Sequence, residues 1–339
     1  MIRDAIAALV DGRDLTEEEA AACMGEIMSD EVTPAQFGAF VVALRLKGET
    51  VDEIVGMARV MREKALPVPI DGPLLDTCGT GGDAKGTFNV STAAAFVAAG
   101  AGARIAKHGN RAMTSACGSA DMLEALGAKI DLPPAGVAAS IERAGFGFMF
   151  AQTFHPAMKF AAGLRREIGV RTVFNILGPL TNPAGAEAQV LGVPDAPLAE
   201  KLAQVLARLG TKHALVVHGE NGLDEVSARG PTVVCDVQDG RVKTTVVSPT
   251  DVGLPLHPLE SLAGSSPERN AEALRRVLAG ETGPLRDFTL LNAAAALVAG
   301  DLASDFKEGL AMAEKAIDSG AAREKLEAFV KVSNEVAHG

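Results

Sequence analysis

From Leu74 onward, short apolar runs alternate with Ala-rich stretches of helical character, and that alternation leaves the chain few architectures. The runs fall at residues 74–78, 104–106, 146–150, 189–193 and 214–217, with helices fitting between them at 91–99, 134–144 and 197–209. Short, largely apolar runs alternating with helices imply strands buried on both faces, so the pattern predicts βαβ units and a mainly parallel central sheet covered by helices. A composition of 47% hydrophobic residues, 22% charged residues and 36 Gly suits such close packing. Residues 232–247 predict two strands around an Asp239-Gly240 turn, and from Pro267 onward helices dominate.

Before that region, up to about residue 66, the pattern is helical. Thr16 with Glu19, Thr33 with Pro34, and Thr50 with Glu53 are start signals, and Gly48 is a stop. Phe37, Phe40, Val41 and Leu44 recur at three- and four-residue spacing and give their helix one apolar face. Pro67-Val68-Pro69 disfavours helix and reads as a linker. The expected organisation is a small helical domain over 1–70 and an α/β catalytic domain over 71–339. Helices from about 155–185 are expected to return to the first domain.

Several function classes are disfavoured. The chain has no Trp or Tyr to stack on bases, and its net charge of −11 repels a phosphate backbone, so no nucleic-acid partner is expected. The N-terminus shows no secretory pattern, and no run approaches about 18 apolar residues, so the expectation is a cytoplasmic protein without a membrane partner. Cys23, Cys78, Cys117 and Cys235 are too scattered for a zinc or redox pair and read as reduced structural thiols.

Three turns carry candidate chemistry. Asp76-Thr77-Cys78-Gly79-Thr80-Gly81-Gly82-Asp83 leaves a predicted strand, and three glycines in four positions let backbone N–H groups approach an oxygen-rich anion. Thr87-Phe88-Asn89-Val90-Ser91-Thr92 then opens a helix whose N-terminus suits phosphate; Ser91 or Thr92 also reads as its cap, and the hydroxyls suit Mg²⁺. The next strand ends in Lys107-His108-Gly109-Asn110-Arg111, a basic turn fit for a second phosphate clamp. Asp224 and Glu225 set two carboxylates side by side after another strand, as Mg²⁺ binding requires. Arg165 or Arg166 suits a substrate carboxylate through two parallel hydrogen bonds. No Ser-His-Asp or Cys-His arrangement is evident, so no side chain is assigned as nucleophile or base.

Together, residues 78–83, 89–92, 107–111 with Gly118-Ser119-Ala120-Asp121, the run RTVFNILGPLTNP from Arg171 to Pro183, and GLDEVS from Gly222 to Ser227 resemble the anthranilate phosphoribosyltransferase family of tryptophan biosynthesis. The resemblance runs through nearly the whole chain in order. It implies a nucleoside phosphorylase/phosphoribosyltransferase-like fold, with a small helical domain hinged to a larger α/β domain and a homodimer formed through the helical domains. It implies transfer of phosphoribose from 5-phosphoribosyl 1-diphosphate to the amino group of anthranilate, with two Mg²⁺ ions. By the same resemblance, Gly79, Gly82, Asp83, Thr87, Asn89, Val90, Ser91 and Thr92 hold the donor's diphosphate and ribose. Lys107, His108, Gly109, Asn110, Arg111, Ala112, Met113, Thr114, Ser115 and Ser119 wrap its phosphates. Ser91, Asp224 and Glu225 serve the metal, and Gly79, Asn110 and Arg165 hold anthranilate.

The chain departs from that pattern where Met113-Thr114-Ser115-Ala116-Cys117 replaces a more Ser-rich run and Phe154-His155 replaces a His-His pair. Cys117 is a weaker hydrogen-bond donor than Ser, and Phe154 is expected to alter the entrance for the aromatic substrate. Two rivals remain at this stage: a pyrimidine nucleoside phosphorylase, and a non-catalytic relative that binds nucleic acid. RTVFNILGPLTNP and GLDEVS favour the transferase, and the acidic balance opposes the binder.

Overall fold

A computed structural model describes residues 1–112 and 116–337. The chain opens with four helices, α1 (Ile2–Val10), α2 (Glu17–Met28), α3 (Pro34–Lys47) and α4 (Val51–Lys64). Thr16, Thr33 and Thr50 each accept from the N–H three residues on, and Glu19, Gln36 and Glu53 reach back to the Thr N–H. These reciprocal caps satisfy donors that a helix end otherwise leaves open, which is why each helix starts there. Glu53 does more than cap: fully buried, it also accepts from the Leu15 N–H at 2.9 Å and pairs with Lys47 at 3.1 Å.

The α/β domain continues with β1 (Leu75–Gly79), α5 (Val90–Gly100), β2 (Ile105–Gly109), α6 (Ser119–Ala125), α7 (Pro134–Ala144), β3 (Phe146–Phe150), α8 (Ala151–Phe154), α9 (Lys159–Ile168) and α10 (Phe174–Leu177). It goes on through β4 (Ala188–Gly192), α11 (Ala196–Arg208), β5 (His213–Gly219), β6 (Thr232–Gln238) and β7 (Arg241–Val247), and ends in α12 (Pro267–Leu278), α13 (Pro284–Ala299), α14 (Phe306–Asp318) and α15 (Ala321–Val336). The seven strands lie in the order β3-β2-β1-β4-β5-β6-β7. The first five are parallel, and β6 and β7 add an antiparallel hairpin. Asp239 and Gly240 both take positive φ, 48° and 76°, the conformation a two-residue hairpin needs to match strand twist. β2 extends to Gly109, three residues beyond the apolar run, because Lys107 and His108 are buried within it.

Alternate residues of the central strands feed two cores. Val190, Leu215 and Val217 pack against α5, α13 and α15, whereas Leu191, Ala214 and Val216 face α11 and the N-terminal helices. The second core also takes in Ala161, Val173, Phe174, Ile176, Leu177 and Leu180, so the segment after β3 packs with the helical domain. No helix among the described residues is long and apolar enough to cross a membrane.

Helices α2 and α4 approach so closely that a Cβ on Gly56 would lie 2.1 Å from the Glu17 carbonyl oxygen, while one on Gly25 would meet open space. Gly56→Ala should cost about 1–3 kcal/mol by forcing the helices apart. Gly25→Ala should be neutral or stabilising by up to about 1 kcal/mol. Thermal unfolding of both variants checks this, and equal effects would refute the packing argument.

Candidate active site

The sheet order reverses between β1 and β4, and open α/β sheets bind ligands at the carboxyl ends of the strands flanking such a point. There β1, β2, β4 and β5 each end in a glycine: Gly79, Gly109, Gly192 and Gly219. The reason is visible at Gly192, where a Cβ would lie 1.6 Å from the Asp224 carbonyl oxygen, and at Gly79, where it would lie 2.7 Å from Asp224 Oδ2. Without side chains, these strand ends let the loop carrying Asp224 and Glu225 close over them. The Gly81 N–H completes the closure by donating to Asp224 Oδ2 at 2.9 Å.

One step deeper, Lys107 is buried to 2% exposure where β1, β2 and α5 meet. Its Nζ donates to the Thr77 carbonyl and to Ser91 Oγ at 2.9 Å. Ser91 Oγ donates in turn to the Thr77 carbonyl at 3.0 Å, and Thr77 Oγ1 donates to the Ser91 carbonyl at 3.0 Å. Burial pushes the ammonium down from its ordinary range, and Asp76, then Cys78 and Glu225, oppose that. Asp76 is itself fully buried and is satisfied by the His108 N–H at 3.1 Å and Asn182 Nδ2 at 2.8 Å. The helix here begins at Val90, and Asn89 is its N-cap position without a side-chain cap. Ser91 and Thr92 therefore do not cap it: both lie inside the first turn, and the Ser91 hydroxyl is committed to Thr77 and Lys107. The Val90 N–H is spent on the Phe88 carbonyl at 2.6 Å, and the Ser91 and Thr92 N–H groups are the first-turn donors left to an anion among the described residues.

Three carboxylates, Asp83, Asp224 and Glu225, crowd together near Lys107. Burial, then the Asp83 charge, pushes Asp224 up to about 7; burial, then Asp224, raises Glu225 well above its ordinary value, against Lys107. Asp83 Oδ2 is buried with no donor. Such crowding calls for a cation. No group of three or more His, Cys, Asp or Glu residues forms a metal cage among the described residues. The adjacent carboxylates of Asp224 and Glu225 suit Mg²⁺, which binds through one or two carboxylates and takes its other ligands from water and phosphate.

The third turn is held by its own helix. Asp121 Oδ2 accepts from the N–H groups of Ala112 and Gly118, both at 2.9 Å, and so ties the two ends of the loop together. Against the upward push of burial, those donors and Arg111 hold Asp121 below its ordinary value. The Arg111 guanidinium pairs with Glu124, lies 3.3 Å from Asp121 and covers the Phe150 ring. Asn110 is exposed, and its carbonyl accepts from Ser119 Oγ at 3.4 Å. Asn89 Nδ2 donates to the Cys117 carbonyl at 3.0 Å, joining this loop to α5. Met113, Thr114 and Ser115 lie outside the described residues. Thr87 bridges to Ala263, and the Phe88 N–H donates to the Leu262 carbonyl at 2.9 Å, so a distant segment braces the first loop, which no local signal announced.

On the acceptor side, the half-buried Arg165 guanidinium sits 5.4 Å from the Phe174 ring centroid, with no carboxylate among the described residues within ion-pair distance. Arg166 is exposed. His108 and His155, whose ring centroids are 5.0 Å apart, are buried and neutral: burial pushes them down to about 3 and about 4. Phe154 does not shape an entrance. It is fully buried in an apolar cluster with Leu74, Ala106 and Met149, so its packing replaces the expected role. Sequence reasoning gave no role to Asp76, Asp121, Asn182 or Arg171. Of these, only Asp121 carried a local signal, a carboxylate in the first turn of a helix.

Residues 3–65 match the helical bundle domain of a glycosyl transferase family, and residues 71–323 match its a/b domain. The chain is 60% identical over 334 residues to anthranilate phosphoribosyltransferase of Chloroflexus aurantiacus, with 98% of each chain covered. It is 59% identical over 335 residues to that of Roseiflexus castenholzii, again with 98% of each covered. The crystal structure of anthranilate phosphoribosyltransferase from Thermus thermophilus superposes with a TM-score of 0.93 at 49% identity, covering 98% of this chain and 99% of that one. The Saccharomyces cerevisiae enzyme in complex with PRPP and Mg gives 0.91 at 31% identity, with 98% of each covered. Similarity of this extent spans both domains and the whole cleft, leaving the nucleoside phosphorylase and nucleic-acid readings unsupported, and the chain belongs to the anthranilate phosphoribosyltransferase family.

Proposed function

We propose that this chain transfers the phosphoribosyl group of 5-phosphoribosyl 1-diphosphate to the amino group of anthranilate in tryptophan biosynthesis. The observation that carries this reading is the pairing of opposed charge across one cleft. Lys107 and the α5 N-terminus lie near Asp83, Asp224 and Glu225, and the glycine loop is tied to Asp224 through the Gly81 N–H. In the reaction, the bond from the ribose C1 to the diphosphate oxygen breaks, and a bond from C1 to the anthranilate nitrogen forms. Pyrophosphate leaves with the bonding pair, and the nitrogen gives up a proton.

Bound Mg²⁺ supplies charge neutralisation to the leaving diphosphate. Asp224 and Glu225 would hold it, with Asp83 beside them. Two ions suit the site, because a diphosphate beside three carboxylates carries more negative charge than one divalent ion balances. Lys107 orients the Ser91 hydroxyl, and the Ser91 and Thr92 N–H groups at the start of α5 would face the donor's phosphate oxygens. Residues Lys107 to Ala112 and Ser119 would serve the donor's phosphates, on a turn whose Ala112 and Gly118 N–H groups are tied by Asp121. Arg165, with no carboxylate partner of its own, would bind the anthranilate carboxylate, and Asn110 and Gly79 would flank it. Positioning and preorganised charge would do most of the catalysis.

The division of the chain near residue 70, with 155–185 joining the helical domain, is part of this proposal and is supported by their shared apolar core. So is a cytoplasmic homodimer: Val10 on α1 and Val42 and Leu46 on α3 are exposed, with Leu46 at 82%, an apolar face suited to a second copy.

The coupled test follows anthranilate fluorescence in purified enzyme. Its loss should require both 5-phosphoribosyl 1-diphosphate and Mg²⁺, and no turnover would sink the assignment. Arg165→Ala should raise the anthranilate KM by roughly 10- to 100-fold, the value of a charged hydrogen-bond pair, with a much smaller effect on the donor KM. Asp224→Asn and Glu225→Gln should lower kcat and raise the Mg²⁺ concentration for half-maximal rate; an unchanged metal requirement in both would remove the carboxylates from the metal site.

A further inference from the structure

Arg171 takes no part in the chemistry above, yet it reaches the centre of the donor loop. It follows α9, the helix of Arg165, and its Nη2 donates to the Thr80 carbonyl at 3.3 Å. That is its one hydrogen bond among the described residues, so most of the guanidinium fork is unspent. The side chain fills the space above Gly82: a Cβ there would lie 1.6 Å from Arg171 Nη1. The Asp224 and Asp83 carboxylates act on the guanidinium from beyond ion-pair distance, while burial and Arg45 oppose its charge. A half-buried arginine with free donors, set over a phosphate-binding loop and beside the carboxylates proposed for Mg²⁺, is unspent as a structural tie and well placed for a phosphate.

We propose that Arg171 is a binding residue for the donor's diphosphate, turning its free N–H groups from the Gly82 loop to the diphosphate oxygens when the metal–diphosphate enters. The inference rests on the donor site assigned under the proposed function. It carries a charge signature that a purely structural arginine lacks. Beside Asp83 and Asp224, a fixed positive charge opposes a lone divalent cation but favours an anionic metal–diphosphate complex. Arg171 also links the acceptor segment to the donor loop, since α9 packs on α2 and α3 of the helical domain.

Calorimetry on the full-length enzyme tests this with two probes, Mn²⁺ alone and magnesium pyrophosphate. Arg171→Gln should weaken magnesium pyrophosphate by on the order of ten-fold or more while Mn²⁺ binds as tightly as before or a few-fold more tightly. Arg171→Lys, which keeps the charge and loses the fork, should fall between Gln and wild type for pyrophosphate. Wild-type affinity of Arg171→Gln for both probes, or parallel weakening of both, would overturn the inference. Failure of the wild-type enzyme to bind magnesium pyrophosphate would instead overturn the donor site itself.

Discussion

The ammonium of Lys107, shut away from water between β1, β2 and α5, is the interaction on which the rest of the cleft depends. Its donors join the Thr77 carbonyl to the Ser91 hydroxyl, so the end of the first strand and the start of the following helix are fixed relative to each other. A buried charge is costly unless compensated, and here Asp76 and Glu225 supply the compensation through space. Asp76 in turn is held by Asn182, which also donates to the Ala106 carbonyl at 2.8 Å and so draws in the segment leading to β4. One cation thus couples the β1 loop and the α5 N-terminus into a single preorganised unit.

At the strand ends the design principle is absence of side chains. Gly79 and Gly192 end adjacent strands, and Asp224 rests its carboxylate on the first and its backbone carbonyl on the second. The cost is electrostatic: Asp83, Asp224 and Glu225 are crowded and desolvated, and the proton affinities of Asp224 and Glu225 rise. Carboxylates held in that state gain most when a cation arrives.

Much of this was legible in the sequence because the signals were local. The three Thr start signals carry their partners within three residues, the Asp239-Gly240 turn has the backbone its hairpin needs, and the glycine loop follows its strand directly. Other features were not legible, because their partners are remote. Lys107 reads as part of a basic loop until Thr77 and Ser91 are seen around it; Asn182 meets Asp76 across 106 positions; Arg171 meets Thr80 across 91. Ser91 looks like a cap by position alone, and only the lysine shows why its hydroxyl is needed elsewhere. Phe154 illustrates the reverse error, since an aromatic residue next to a site motif is spent on the core.

The most direct test of Lys107 as the organising charge is calorimetric binding of 5-phosphoribosyl 1-diphosphate with Mg²⁺ to the full-length Lys107→Met enzyme, with circular dichroism confirming the fold. The expected result is a folded protein whose donor affinity falls by at least roughly ten-fold. A folded variant that binds the donor as tightly as the wild type would contradict that role for Lys107.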